Sequence, residues 1–294
     1  MNTFVPEPVA DYRCYTGEGP LWHPLKNRLY WLDIPIGAVY WHNPEDGRHG
    51  LEIQADEAVG GLTAQADGSL LLFMNRARVC SWDGNVLKEI IAPLPHEENT
   101  RFNDVIADPL GGVFAGTMSA PGRSGRLYRI ASNTSWSVVS GEEEGSYGTP
   151  NGMGFTPDLR NMYFNDSRTN TTYRFKYDKA NGRIFQREVF RKGTVDKGRG
   201  DGLTVDRDGN IWMGEWDGGR LVHYSPSGEM LRTVALPSRK VSACAFGGPD
   251  YRDLFITTAL ADGNRETEGV GAGMLFRMRT EIPGRPEFLS KLGL

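Results

Sequence analysis

A chain of 294 residues with a formal net charge of −4 has no basic surplus to draw it to nucleic acid or to an anionic membrane. No apolar run is long enough to span a bilayer, and Met1 to Glu7 lack the basic and apolar segments of a secretion signal. Three cysteines, Cys14, Cys80 and Cys244, are far apart and odd in number, which argues against a disulfide framework or a thiolate zinc site and for a cytoplasmic setting, and the histidines show no ligand spacing.

In chain order, Pro8 to Tyr15 reads as a strand with no partner nearby in sequence. A pattern then begins that keeps returning: a polar residue, a strand, a tight turn and a second strand. Its first copy runs from Glu18 through the turn His23-Pro24-Leu25-Lys26 to Asp33. Weaker copies start at Gly60 and Asn103, stronger ones at Asn151 and Asp201, and a last one at Ser242. The starts are spaced by 42, 43, 48, 50 and 41 residues. A period of this size with several short strands per unit is the signature of propeller blades.

Further aromatic and β-branched runs predict a second strand pair in each unit. Leu127–Ile130 with Trp136–Val139, Thr172–Tyr177 with Phe185–Phe190, and Leu221–Tyr224 with Met230–Val234 are the clearest; Asn181-Gly182 and Ser227-Gly228 split the last two. Four strands in each of six units make an all-β, six-bladed β-propeller, a single domain over residues 1–294, rather than a large β-sandwich. Ring closure is expected from the Pro8–Tyr15 strand, lying beside Met274–Met278 and the tail near Pro286-Glu287-Phe288, so that no open edge is left to template aggregation.

Blade geometry turns the repeat into chemistry. Residues at equivalent starts of the innermost strands lie at one height around the central channel. That height would hold Glu18, Asn103, Asn151, Asp201, Ser242 and the gap left by Gly60. Two carboxylates so placed repel unless a cation separates them. A set of carboxylate and carboxamide oxygens suits hard divalent cations, Ca²⁺, Mg²⁺ or Mn²⁺, with Zn²⁺ or Fe²⁺ less expected. A second set one strand on, Asp33, Thr117, Asp166 and Glu215, is expected to hold strand ends and turns. Asp104 is a candidate for supporting the ring from behind.

The stretches GEGPLWHPLKNRLYWLDI at 17–34, RFNDVIADPLGGVFAGTM at 101–118, PNGMGFTPDLRNMYFNDS at 150–167 and GRGDGLTVDRDGNIWMGEW at 198–216 together resemble the SMP-30/gluconolactonase/LRE family of six-bladed propellers, which includes regucalcin and the sugar lactonases. The resemblance implies that Glu18, Asn151 and Asp201 bind one divalent metal and that Arg101 and Asn103 contact substrate. In related phosphotriesterase-like propellers the equivalent of Asn103 also touches the metal. One departure concerns substrate: some members carry an acidic residue soon after the AGTM stretch, where this chain has Ser119-Ala120-Pro121-Gly122-Arg123.

Metal-assisted hydrolysis follows as the expected chemistry: a cation polarises a lactone carbonyl, and a carboxylate accepts a proton from water. Asp201 is the expected base, in part by analogy with the family, with Glu18 as the alternative. The expected substrate is a sugar lactone opened to an aldonic acid, as in gluconolactonases and xylonolactonases. Phosphotriester or non-sugar lactone hydrolysis, and a non-catalytic Ca²⁺-binding propeller, are the competing readings. Nothing points to an obligatory partner, so a monomer or weak homo-oligomer is expected. Loops at 116–125, 140–149, 193–200 and 261–273 are expected to frame the mouth. Tyr147 and Trp216 are candidates either to stack on a sugar or to pack in the core or rim, and Glu142-Glu143-Glu144 is expected to be a solvated face.

Overall fold

The computed structural model describes residues 4–140 and 147–294. These form six four-stranded antiparallel sheets. Five are built from consecutive strands; the sixth takes three strands from the C-terminal region and one from the N-terminus. The innermost strands, in ring order, are Gly17–His23, Val59–Ala64, Phe102–Ala107, Pro150–Phe155, Arg199–Val205 and Lys240–Gly247. Each packs against the next and the last against the first, which closes a six-bladed propeller. A 3-10 turn at Val195–Lys197 and a four-residue α-helix at Arg265–Glu268 are the only helices among the described residues, and none is long and apolar enough to cross a membrane.

The hairpin chemistry does what the repeat requires. Gly68 and Gly209 occupy the same place in their Asp-Gly turns, and both have φ of +89°, a region closed to most side chains. Outer strands extend slightly beyond the sequence expectation, as at Thr171–Asp178 and Arg183–Lys192. Between neighbouring sheets the core is aromatic, with Trp22, Trp31 and Trp212 almost wholly buried.

Ring closure comes from Glu7–Asp11, which pairs antiparallel with Met274–Arg279. The tail departs from expectation. Residues 281–294 add no strand to the last blade and instead cross the face of the propeller opposite the repeat starts. Pro283 accepts from the Arg207 amide, and Arg285 donates to the Phe155 carbonyl at 2.8 Å. Ser290 forms a parallel bridge with Gln65, and the Lys291 amide reaches the Gly111 carbonyl at 2.8 Å. Phe288 packs edge-on against Phe155. Pro286 offers no backbone donor, and the segment gains more by capping four blades than by extending one sheet edge.

All six innermost strands carry a register shift near the repeat start: Glu18/Leu21, Val59/Gly61, Phe102/Val105, Asn151/Met153, Gly200/Leu203 and Val241/Ala243. A bulge re-aims a side chain without breaking the ladder. Six of them at one height turn the repeat starts toward the channel mouth. Close approach of neighbouring strands then fixes which residues can stand there. A Cβ at Gly60 would lie 1.9 Å from the Phe102 carbonyl oxygen, so that ring position has room for glycine alone. Gly60→Ala is expected to destabilise the protein by about 2–4 kcal/mol, through overpacking against backbone that cannot yield. Urea denaturation would show this as a lowered midpoint; an unchanged midpoint would contradict the close approach.

Candidate active site

Four of the six repeat starts, Glu18, Asn103, Asn151 and Asp201, converge on one cavity of about 410 Å³. Glu18, Arg101, Asn103, Asn151 and Asp201 all line it, so the three expected metal ligands and the two expected polar substrate contacts reach the same space. Its floor is buried: Glu18 is 8% exposed and Asp201 4%. Other ring positions serve structure. The Ser242 hydroxyl donates to the Gly17 carbonyl at 2.5 Å and lies 2.9 Å from the Thr257 hydroxyl, tying the sixth blade to the strand that carries Glu18.

Hydrogen bonds fix the floor in detail. Arg101 Nη1 donates to Asn103 Oδ1 at 2.7 Å and to the Phe102 carbonyl at 2.8 Å. Asn103 Nδ2 in turn donates to the Pro150 carbonyl at 2.8 Å, linking the third blade to the fourth. Asn151 Nδ2 contacts Asp201 Oδ1 and the Ser167 hydroxyl, and that hydroxyl lies 3.3 Å from the same Asp201 oxygen. Glu18 Oε2 accepts the Gly19 amide at 2.8 Å. Behind Asp201, the Asn165 amide donates to the Gly200 and Asp201 carbonyls and is held by the Thr172 hydroxyl at 2.9 Å.

Charge at the floor is out of balance. Burial pushes Glu18 up to about 8, with the Asp104 charge adding to the shift and the Gly19 amide and Arg101 opposing it. Asp201 is held well above the usual carboxylate range by burial, then by Glu18 and Asp104, against the Ser167 and Asn151 hydrogen bonds. Asp104 itself is raised to about 6, chiefly by burial, with Glu287 of the crossing tail adding to it. Arg101 is lowered to about 10 by burial. Its hydrogen bonds go to Asn103 and the Phe102 carbonyl and leave both carboxylates without a directly bonded cation.

The donor set fits a hard divalent cation. Glu18, Asn151 and Asp201 offer two carboxylates and a carboxamide, all oxygen, on three blades facing one cavity. No group of three or more His, Cys, Asp or Glu able to hold a metal occurs among the described residues. A cation here would therefore depend on the mixed carboxylate–amide set. The Asn151 amide is assigned with its nitrogen toward Asp201; turning it over would present its oxygen beside that carboxylate, an arrangement a cation makes favourable.

Several sequence expectations are met and others corrected. Asp33 accepts the Tyr15 and Thr16 amides at 2.9 Å, Asp166 accepts the Thr149 amide at 2.9 Å, and Glu215 pairs with Arg220 at 2.6 Å, so this second set does hold strand ends and turns. Trp216 lines the cavity. Tyr147 does not; it is buried in the core against Phe164, with ring centroids 4.6 Å apart, because its neighbours there are aromatic. Of the expected mouth loops, those at 116–125, 140–149 and 193–200 contribute Met118, Thr149 and Arg199, while 261–273 contributes nothing to the lining. Glu142-Glu143-Glu144 lies outside the described residues.

Ser167, Arg168 and Arg199 were not singled out, although each sits inside or beside a repeated motif. Also missed was Glu97, fully buried, which takes both guanidinium nitrogens of Arg123 at 2.6 Å and the Tyr128 hydroxyl at 2.5 Å. This clamp ties Arg123 to Thr117 as well, at 3.2 Å, and so holds the loop that carries Met118.

Comparison with known proteins follows from this geometry. Residues 16–260 match the family model described as SMP-30/Gluconolactonase/LRE-like region. The chain is 42% identical to the pentonolactonase XacC of Haloferax volcanii over 97% of this chain and 98% of that one. It is 32% identical to a 6-deoxy-6-sulfogluconolactonase of Pseudomonas putida over 92% and 93% of the two chains. Among solved structures, a calcium-binding protein, regucalcin, from Agrobacterium tumefaciens superposes with a TM-score of 0.89 at 24% identity, covering 99% of this chain and 100% of that one. The six-bladed architecture, the bulged oxygen ring and the match along most of its length place this chain in the SMP-30/gluconolactonase/LRE-like family.

Proposed function

We propose that this chain is a sugar lactonase, opening aldonolactones to aldonic acids with the help of one divalent cation. The observation that carries the reading is the convergence of Glu18, Asn151 and Asp201 with Arg101 and Asn103 on one cavity of monosaccharide size. Its relatives named for pentonolactone and sulfogluconolactone hydrolysis support the substrate class. Bound by Glu18, Asn151 and Asp201, a Ca²⁺, Mg²⁺, Mn²⁺, Zn²⁺ or Fe²⁺ ion would supply Lewis acidity toward the lactone carbonyl.

The protein groups have separable tasks. Asp201 takes a proton from water as the water adds to the carbonyl carbon. Glu18 is the alternative base. Arg101 offers its remaining N–H groups to substrate oxygens, and its hydrogen bond to Asn103 fixes the fork in place. Negative charge growing on the former carbonyl oxygen is favoured by that nearby guanidinium. Collapse of the tetrahedral adduct breaks the ring C–O bond, and the proton held by the base passes to the departing alkoxide. The product is a hydroxy acid with no change in oxidation state.

Asp201→Asn is expected to lower kcat/KM for glucono- or xylono-lactone by about a thousandfold, as loss of a base and a ligand together should. Glu18→Gln should cost about a hundredfold or more. Acidification followed in weak buffer, corrected for spontaneous opening, measures both. Wild-type rates in both variants would remove these residues from the chemistry. Tight stoichiometric metal binding with no lactone opened would favour a binding protein instead.

The raised carboxylates also set a pH dependence with a definite sign. A carboxylate whose folded pKa exceeds its unfolded value supports the fold at low pH and loses that contribution as pH rises through the folded value. For Glu18 the window runs from 4.5 to about 8, and Asp201 shifts in the same direction. Metal-stripped protein should therefore lose thermal stability as pH rises across this range, while added Ca²⁺ or Mn²⁺ should restore more at pH 8 than at pH 5. Scanning calorimetry at both pH values checks this; equal metal stabilisation at the two would contradict it.

A further inference from the structure

The charge lining the cavity changes sign between floor and mouth. At the floor stand Glu18 and Asp201, both buried. At the mouth stand Arg168 and Arg199, both exposed side chains that line the same cavity. Counting Arg101, three guanidiniums face two carboxylates, and no other acidic residue lines the cavity among the described residues. A divalent cation at the floor would leave the whole cavity strongly positive.

Neither mouth arginine is spent on the protein. Among the described residues, the side chains of Arg168 and Arg199 make no hydrogen bond or ion pair, unlike most arginines around them. The acidic neighbours are occupied elsewhere. Glu215 pairs with Arg220 at 2.6 Å and Arg191 at 3.6 Å. Asp217 takes Lys240 at 3.0 Å and Arg239 at 3.3 Å. Asp166 is saturated by the Gly148, Thr149 and Arg168 backbone amides and the Thr169 hydroxyl. Arg199 lies directly across the strand pair from Trp216, whose side chain also lines the cavity. A carbon chain running along the indole would end at a guanidinium.

We propose that Arg168 and Arg199 select lactones that carry a second, ionised group, a carboxylate, sulfonate or phosphate, on the carbon chain away from the lactone carbonyl. The inference rests on the lactonase reading and deepens it. With the carbonyl at the floor beside Arg101 and Asp201, the far end of a six-carbon lactone points to the mouth, where the two guanidiniums can each take an anionic oxygen. A neutral hydroxymethyl group there meets the same donors with weaker hydrogen bonds.

The experiment compares kcat/KM for D-glucono-lactone, which is neutral, with D-glucaro-1,4-lactone and 6-phosphogluconolactone. The wild-type protein is expected to favour one or both anionic lactones by about tenfold or more, through KM, and KM for the anionic lactone should rise with added NaCl. Which anion is preferred separates carboxylate from phosphate recognition. In the double variant Arg168→Gln/Arg199→Gln the anionic-to-neutral ratio should fall about tenfold, while Arg168→Lys/Arg199→Lys should keep most of it. A wild-type preference for the neutral lactone, or a ratio unmoved by the Gln pair, overturns the proposal and leaves the lactonase reading standing. Failure to open any lactone overturns both.

Discussion

Two carboxylates, Glu18 and Asp201, are buried at the floor of one narrow channel, and neither has a directly bonded cationic side chain. Burial alone disfavours their ionised forms, the charge of Glu18 raises Asp201 further, and Asp104 adds to both. A fold does not keep such a pair in place cheaply. The surrounding ring shows how it is held: six bulges at one height, Ser242 bonded to the Gly17 carbonyl, Asn103 bonded to the Pro150 carbonyl, and Asn165 clamped onto the Gly200 and Asp201 carbonyls. These bonds run from blade to blade, so the stability of the whole ring is committed to the position of a few oxygens. Such local conflict within a consistent fold is what functional sites look like.

The tail strengthens the arrangement from the other side. By crossing the far face of the propeller it sets Glu287 and Phe288 against the inner strands there, and Glu287 adds negative potential near Asp104. The cavity with the arginines is then the way in for substrate. A cation attracted to the floor and an anion attracted to the mouth are compatible demands, because the two charge layers are separated along the channel. The lopsided ring contributes too: Gly60 cannot carry a side chain, and Ser242 is turned into the structure. Free space beside the carboxylates is thus a consequence of how closely the inner strands must pack.

Much of this was legible in the sequence because the repeat encodes it twice. Alternation and Asp-Gly turns gave the blades, and the polar residue at each repeat start gave Glu18, Asn103, Asn151 and Asp201, which the structure brings to one cavity. What stayed hidden lacks a local pattern. The tail 281–294 has no strand periodicity, and its course is decided by contacts with Gln65, Gly111, Phe155 and Arg207, far away in the chain. Glu97 is a buried acid whose meaning comes only from Arg123 and Tyr128 meeting it in space. For Tyr147 the sequence leaves sugar stacking and core packing open, and nearby aromatics draw it into the core. Arg168 and Arg199 carry no local signal, and only the cavity shows what they face.

The central claim is that Glu18 and Asp201 form an electrostatically strained pair that a divalent cation relieves. Its most direct test is a calorimetric titration of the metal-stripped protein with Mn²⁺ at pH 7, repeated in buffers of different ionisation enthalpy to count protons. Glu18, raised to about 8, retains a proton at that pH, so binding at one site should release about one proton, and Glu18→Gln should reduce that number. Binding of one ion with no proton released, or with a release that Glu18→Gln leaves unchanged, would contradict the claim.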